Sequence, residues 1–410
     1  MNKLNKLLIL IFLVFNTSIV KAENEIDILS LDQVLNLAYE NNLSLKISNK
    51  NRNINEAELI TAGLYPNPEL FLAAGVAQKT YNPGIQQKIP LGGKIKHRKK
   101  LVASKFDVID NEIKQTAINL RYEVKKLFYQ ILNLESKAEV YQKLLDATEE
   151  TLKSTQRRFE LKEITILDLR QIEMLSIDIK KAAIANEIEI KKTRNKLNQI
   201  LNFDISGKEL VVYENENSEL VKLLQSKTNE ELIELAKENR PDINANEAKL
   251  GVNSEEKDLA RANIYPDLTL GVAPDIVTGD EGGISVFTQL QLGLPIFDRQ
   301  QGELKKIKEL KEQLILEKNE IELLIELEIK NSLNNYQMSS QQLKLYQDDS
   351  LEKSEEFIEK AQKSYKLGKS LVLTFLEAVK SSESIYLGYL NTKLAYQETL
   401  VELEKLLAIN

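Results

Sequence analysis

Apolar residues recur along this chain with two periods, one helical and one extended, and the two alternate in the same order twice. Leu31, Val34, Leu35 and Ala38 follow Ser30 at helical spacing, which predicts a helix capped by that serine. It bends near Asn41-Asn42 and stops at Tyr65-Pro66-Asn67-Pro68, where two prolines break it. Leu70, Leu72, Ala74 and Val76 then alternate with Phe71, Ala73 and Gly75. After a turn expected at Asn82-Pro83-Gly84, Ile85, Gln87, Ile89 and Leu91 alternate with Gln86 and Lys88. The pattern predicts a β-hairpin.

Gly92-Gly93 ends the hairpin, and from Lys94 to Ser206 there is no glycine or proline. Ile113, Ala117, Leu120, Val124, Leu127, Ile131, Leu134, Ala138, Tyr141, Leu145, Thr148 and Leu152 are spaced four and three apart, a heptad seam. A helix from Lys94 to about Arg157 would be roughly 90–100 Å long at 1.5 Å per residue. The stretch Arg158 to Leu169 interrupts it, and helix resumes from about Ile166 to Leu201. Residues 205–228 read as a linker.

The second half repeats this order. A helix starts near Asn229, bends at Arg240-Pro241-Asp242 and stops at Ile264-Tyr265-Pro266. Leu268, Leu270 and Val272 alternate with Thr269 and Gly271. A glycine-rich acidic turn is expected from Pro274 to Gly283, and Val286 to Leu294 alternate again up to Pro295. A second long helix, Arg299 to about Tyr365, carries Ile329, Tyr336 and Leu343 seven apart. Ser364 to Phe375 then matches the first interruption at an offset of 206, pairing Phe159 with Tyr365, Leu161 with Leu367 and Leu167 with Leu373. A final helix runs to about Ala408. The chain is a duplication with two helical hairpins, one repeat over 23–204 and the other over 229–410.

Composition narrows the class. The chain has 410 residues, 29% charged and 42% hydrophobic, with no cysteine or tryptophan, one histidine and a net charge of −7. Packing alone must hold the fold, and the acidic balance argues against a nucleic-acid partner. Lys3 and Lys6 precede an apolar run from Leu7 to Phe15, and Val20-Lys21-Ala22 offers small residues at a cleavage site. Residues 1–22 are expected to be a secretory signal peptide. In an exported chain, strands with one apolar face and one bearing Gln, Ser, Thr and Gly resemble transmembrane strands. A bilayer accepts β-structure only as a closed barrel, so four strands per chain require an oligomer. A soluble four-stranded sheet capped by helices, or an exported coiled-coil trimer, remains the alternative.

Several runs resemble the TolC-like outer-membrane efflux proteins, and within them the CzcC-like heavy-metal branch. They are Tyr65-Pro66-Asn67-Pro68-Glu69-Leu70, Gln87-Lys88-Ile89-Pro90-Leu91-Gly92-Gly93-Lys94, Arg240-Pro241-Asp242, Tyr265-Pro266-Asp267-Leu268 and Leu294 to Gly302. The resemblance implies a mainly α fold with a transmembrane β-barrel: a homotrimer with a periplasmic α-barrel and a twelve-stranded β-barrel in outer-membrane lipid. It implies a passive efflux conduit, not an enzyme, for heavy-metal cations, with drug efflux and type I secretion as alternatives. The partners would be a periplasmic adaptor (membrane fusion) protein and an inner-membrane pump of RND type. Docking to the adaptor would fall to Leu161, Lys162, Glu163, Ile164 and Thr165 of the first tip and Leu367, Gly368, Lys369, Ser370 and Leu371 of the second. The first tip keeps the family's Thr165 and Leu167-Asp168-Leu169 but has Lys162 in place of glycine. The second keeps Gly368 and places Thr374 where Asp168 sits. Asp168, Thr374 and, one turn on, Glu377 are the candidates for a pore constriction, because rings of carboxylates select cations. Solvated helix residues would fit the same positions.

No catalytic triad, phosphate loop or metal cluster is recognisable, so no cofactor or resident metal is expected. His97 reads as an exposed residue beside the strand end, and Met174 and Met338 as packing residues.

Overall fold

The computed structural model describes residues 28–75, 80–212, 218–277, 283–347 and 350–409. The expected signal peptide, Val76 of the first strand and Glu214–Asn217 of the linker lie outside them. β1 (Ile28–Ser30) leads into α1 (Leu31–Asn41) and α2 (Leu43–Ala62). Ser30 caps α1 in a reciprocal box, Gln33 N–H donating to Ser30 Oγ and Ser30 N–H to Gln33 Oε1. Asn42 makes the bend: its Oδ1 accepts from Leu45 N–H, and its Nδ2 donates to Ile200 O at 2.8 Å. β2 (Glu69–Gly75) and β3 (Thr80–Ile89) follow, then α3 (Lys94–Glu160) and α4 (Ile166–Leu201).

The second half contains β4 (Glu209–Val211), α5 (Ser218–Ser226), α6 (Asn229–Asn239), α7 (Pro241–Asn263), β5 (Leu268–Val277) and β6 (Gly283–Leu292). It ends with α8 (Gln301–Gln347), α9 (Ser350–Lys366) and α10 (Val372–Leu407). Pro241 starts α7 at its first turn, where a missing N–H costs nothing. The stretch 205–228 is more than a linker: β4 pairs in parallel with β1, and Leu29, Ile205 and Leu210 join the core around α1, α3 and α4. A second core gathers α6, α8 and α10 around Leu232, Ile233, Ala236, Ile325 and Ile329. Lys125 of α3 and Glu404 of α10, both buried, cross-link the halves at 2.6 Å, with Arg121 on the same carboxylate at 2.8 Å.

The remaining strands form one antiparallel sheet in the order β2-β3-β5-β6. Both turn expectations need correction. Asn82-Pro83-Gly84 lies within β3, paired with Leu72 and its neighbours, and Pro274 to Val277 lies within β5. Between β3 and β5 the register is interrupted at 82–84, where it sets Pro83 opposite Pro274. Neither proline has an N–H to give to the ladder, and Asn82 Nδ2 bridges the gap to Asp275 Oδ1 at 2.9 Å. At the sheet's base Gly92 and Gly93 both have left-handed backbones, and a Cβ on Gly92 would lie 2.8 Å from the Tyr265 side chain. The glycine pair lets α3 start hard against the end of α7.

Candidate functional site

The two interruptions are the tips of helical hairpins, and they are built alike. In the first, Glu163 N–H donates to Arg158 O and Lys162 N–H to Phe159 O, both at 2.9 Å. In the second, Lys369 donates to Ser364 O and Gly368 to Tyr365 O at the same distances. Both are helix ends closed by a left-handed residue. Gly368 has φ 69°, and Lys162 has φ 61°, a conformation that costs a side-chain-bearing residue roughly 1–2 kcal/mol.

The helices leaving the tips start differently. Thr165 caps α4: its N–H and hydroxyl both donate to Asp168 Oδ2, at 2.9 and 2.8 Å, and Asp168 N–H returns a bond to Thr165 Oγ1. At the matching position Leu371 caps α10 with no side-chain bond. Asp168 is half-buried and already engaged, whereas Thr374 and Glu377 are exposed on α10. Of the docking candidates, Leu161, Lys162, Glu163, Thr165, Leu367, Gly368, Lys369 and Leu371 are exposed, while Ile164 and Ser370 are partly covered.

Two residues absent from the sequence-based candidates bring the tips together. Arg158 donates to Tyr365 O at 3.1 Å and to Glu163 at 3.1 Å, and its guanidinium lies 5.1 Å from the centre of the Tyr365 ring. The fully buried Tyr365 hydroxyl meets Thr155 Oγ1 at 3.1 Å. Lower on the hairpins, Lys366 binds Glu150 at 2.5 Å, and that hydrogen bond, then the charge, hold the Glu150 carboxyl below its usual range. Alignment of Phe159 with Tyr365 hinted at the position, but nothing in sequence pairs it with Arg158.

At the other end, the sheet has one apolar face. The register places Leu70, Leu72, Ile85, Leu270, Val272, Ile284, Val286 and Leu290 on it. These side chains are exposed, Leu70 at 85% and Ile284 at 78%. The opposite face carries Asn82, Gln86, Lys88, Asp275, Ser285, Gln289 and Gln291. Among the described residues no helix is long and apolar enough to cross a membrane.

Beneath the sheet the structure corrects two expectations. His97 is half-buried, with Nδ1 shielded from solvent, and Glu255 and Asp258 of α7 converge on it, their ligand atoms all within 4.8 Å of one another. Sequence separation hid this group. Met174 and Met338, expected to pack, are 65% and 57% exposed in the single chain.

The model of outer membrane efflux proteins matches residues 232–408. The cobalt-zinc-cadmium resistance protein CzcC of Cupriavidus metallidurans is 23% identical over 279 residues, 67% of this chain and 65% of that protein's length. The Campylobacter jejuni CmeC outer membrane channel superposes with a TM-score of 0.75 at 15% identity, over 92% of this chain and 85% of that one. A structure of CusC, described for its transmembrane channel formation, gives 0.74 at 15% identity, over 92% and 91%. The open-state MtrE channel of Neisseria gonorrhoeae gives 0.70 at 18% identity, over 92% and 88%. By sequence the second repeat matches the outer membrane efflux protein model, and by fold the chain matches solved outer-membrane channels over nearly its whole length.

Proposed function

We propose that the protein is the outer-membrane exit channel of an efflux system, a passive conduit reaching into the periplasm and carrying no enzymatic step. The observation that carries this is the β2-β3-β5-β6 sheet, with its uncovered apolar face and its two unpartnered edge strands. An exposed apolar sheet of this kind is a liability in water and the outer wall of a barrel in lipid. β6 of one copy pairing with β2 of the next closes the barrel, and three copies, the number the family resemblance implies, give twelve strands.

The helices carry the same asymmetry. Ile47 and Ile54 of α2 and Met174, Ile177, Ile184 and Ile188 of α4 are exposed at heptad spacing, as are Leu316, Leu323 and Leu327 of α8. α2 and α4 both pack against α3, while α8 packs against α7 and α10. Two different seams on one chain favour a head-to-tail ring over a two-fold pair. The tips then face an adaptor protein coupled to an inner-membrane pump of RND type, with Asp168, Thr374 and Glu377 at the narrowest point. Heavy-metal cations are the cargo that similarity to a cobalt-zinc-cadmium resistance protein supports.

Native mass spectrometry of detergent-extracted protein tests this assembly. The expected result is a trimer that needs detergent to stay in solution; a monomer that stays soluble without detergent overturns the reading.

A further inference from the structure

The group under the sheet is a different kind of feature from the conduit. His97 lies in the first turn of α3, and Glu255 and Asp258 lie one turn apart on α7, so their side chains leave one face of that helix together. They join the first repeat to the second where the strands pass into helix.

Two observations set this group apart from ordinary surface charge. His97 Nδ1 and Glu255 Oε2 are buried and have no hydrogen-bond partner, a state that in a folded protein calls for an explanation. The carboxylates of Glu255 and Asp258 are also without an ion-pair partner among the described residues, although Lys94, Lys96, Arg98, Lys99 and Lys100 share the first two turns of α3 with His97. Lys94 is instead committed to Asp267 at 2.5 Å.

We infer that His97, Glu255 and Asp258 form a binding site for a divalent transition-metal ion of the Zn2+ class. One imidazole nitrogen and two carboxylate oxygens supply three ligands, with a fourth position left for water. Two negative charges neutralise a divalent ion. The imidazole selects against Mg2+ and Ca2+, which take oxygen ligands in larger number, and the absence of sulfur selects against Cu(I). Bond lengths of about 2.0–2.2 Å require the three atoms to close in slightly from their present separation, a small side-chain rotation. The bound ion staples α3 to α7 at the base of the barrel. The site is independent of the conduit and of its cargo.

The test uses tag-free, full-length protein in detergent, stripped with EDTA. Co2+ is titrated and followed by its visible absorption bands, then displaced by Zn2+; His97→Gln, Glu255→Gln and Asp258→Asn are run in parallel, each first checked for wild-type assembly. The expected result is one Co2+ per chain, displaced by Zn2+ and not by Mg2+ in excess. Affinity falls at least tenfold in each assembled variant, and Zn2+ raises the thermal midpoint of the wild type alone. Should one variant fail to assemble, the other two carry the comparison. No binding by the wild type, binding unchanged in the variants, or displacement by Mg2+ overturns the assignment.

Discussion

The guanidinium of Arg158 stacks on the ring of Tyr365 and donates to that residue's carbonyl oxygen at 3.1 Å. One side chain from the first hairpin thus clasps the end of the second, directly behind both tips. Arg158→Ala removes a charge-assisted hydrogen bond and a cation–π contact, together worth about 1–3 kcal/mol. It frees the hairpins to part. The expected outcome is a lower thermal midpoint together with a larger mean conductance in planar bilayers. A variant that loses stability at constant conductance would make the clasp structural only.

The two tips predict opposite responses at matching positions. Lys162→Gly relieves a left-handed residue and should stabilise the chain by about 1 kcal/mol. Gly368→Ala imposes the same strain in the second tip, and its added Cβ meets only Arg158 at an ordinary 3.8 Å, so the backbone alone sets a cost of about 1 kcal/mol. Denaturant unfolding of the two variants checks both signs.

Asp168 has two separable duties, capping α4 and presenting charge. Asp168→Ala leaves the bond from its own N–H to the Thr165 cap in place. It should cost about 0.5–1.5 kcal/mol through the lost reciprocal bonds from Thr165 to the carboxylate, whereas Asp168→Asn keeps an acceptor for Thr165. If the carboxylates form the constriction, both variants raise conductance and weaken cation preference alike. A change confined to the alanine variant would assign Asp168 to the cap.

Glu383 of α10 makes stability depend on pH. Burial, then the like charge of Asp178 on α4, raise its pKa above the ordinary 4.5, against the opposing charge of Lys380 on its own helix. Tyr141 of α3 faces the same group and is raised by burial and by Glu383 itself. A raised folded pKa means that Glu383 favours the fold at pH below about 4.5 and loses that advantage as pH climbs through the raised value. Glu383→Gln stays neutral throughout, so it should be more stable than wild type at pH 8 and equal to it near pH 4. Thermal unfolding at the two pH values decides; equal shifts at both would contradict the account.

Much of the fold was legible because long periodic signals survive without context. The second helix of the first hairpin falls at Ile166–Leu201, the bounds expected of it, and the offset of 206 locates both tips. Short or compensated features were not legible. β1 and β4 are three residues each, too short to show alternation, so their pairing was hidden in a linker. Pro83 and Pro274 signal turns by chemistry, yet both sit within strands, at the place where the β3–β5 pairing is interrupted and the Asn82 side chain bridges to Asp275. Arg158 and the His97 group depend on contacts between distant segments, which no local pattern encodes.

Single-channel recording of the detergent-extracted protein in a planar bilayer decides whether the protein is a conduit. Stepwise, cation-selective currents that increase in Arg158→Ala are expected. A purified protein that never inserts, or inserts without conductance in the wild type and the variant alike, would contradict the conduit reading.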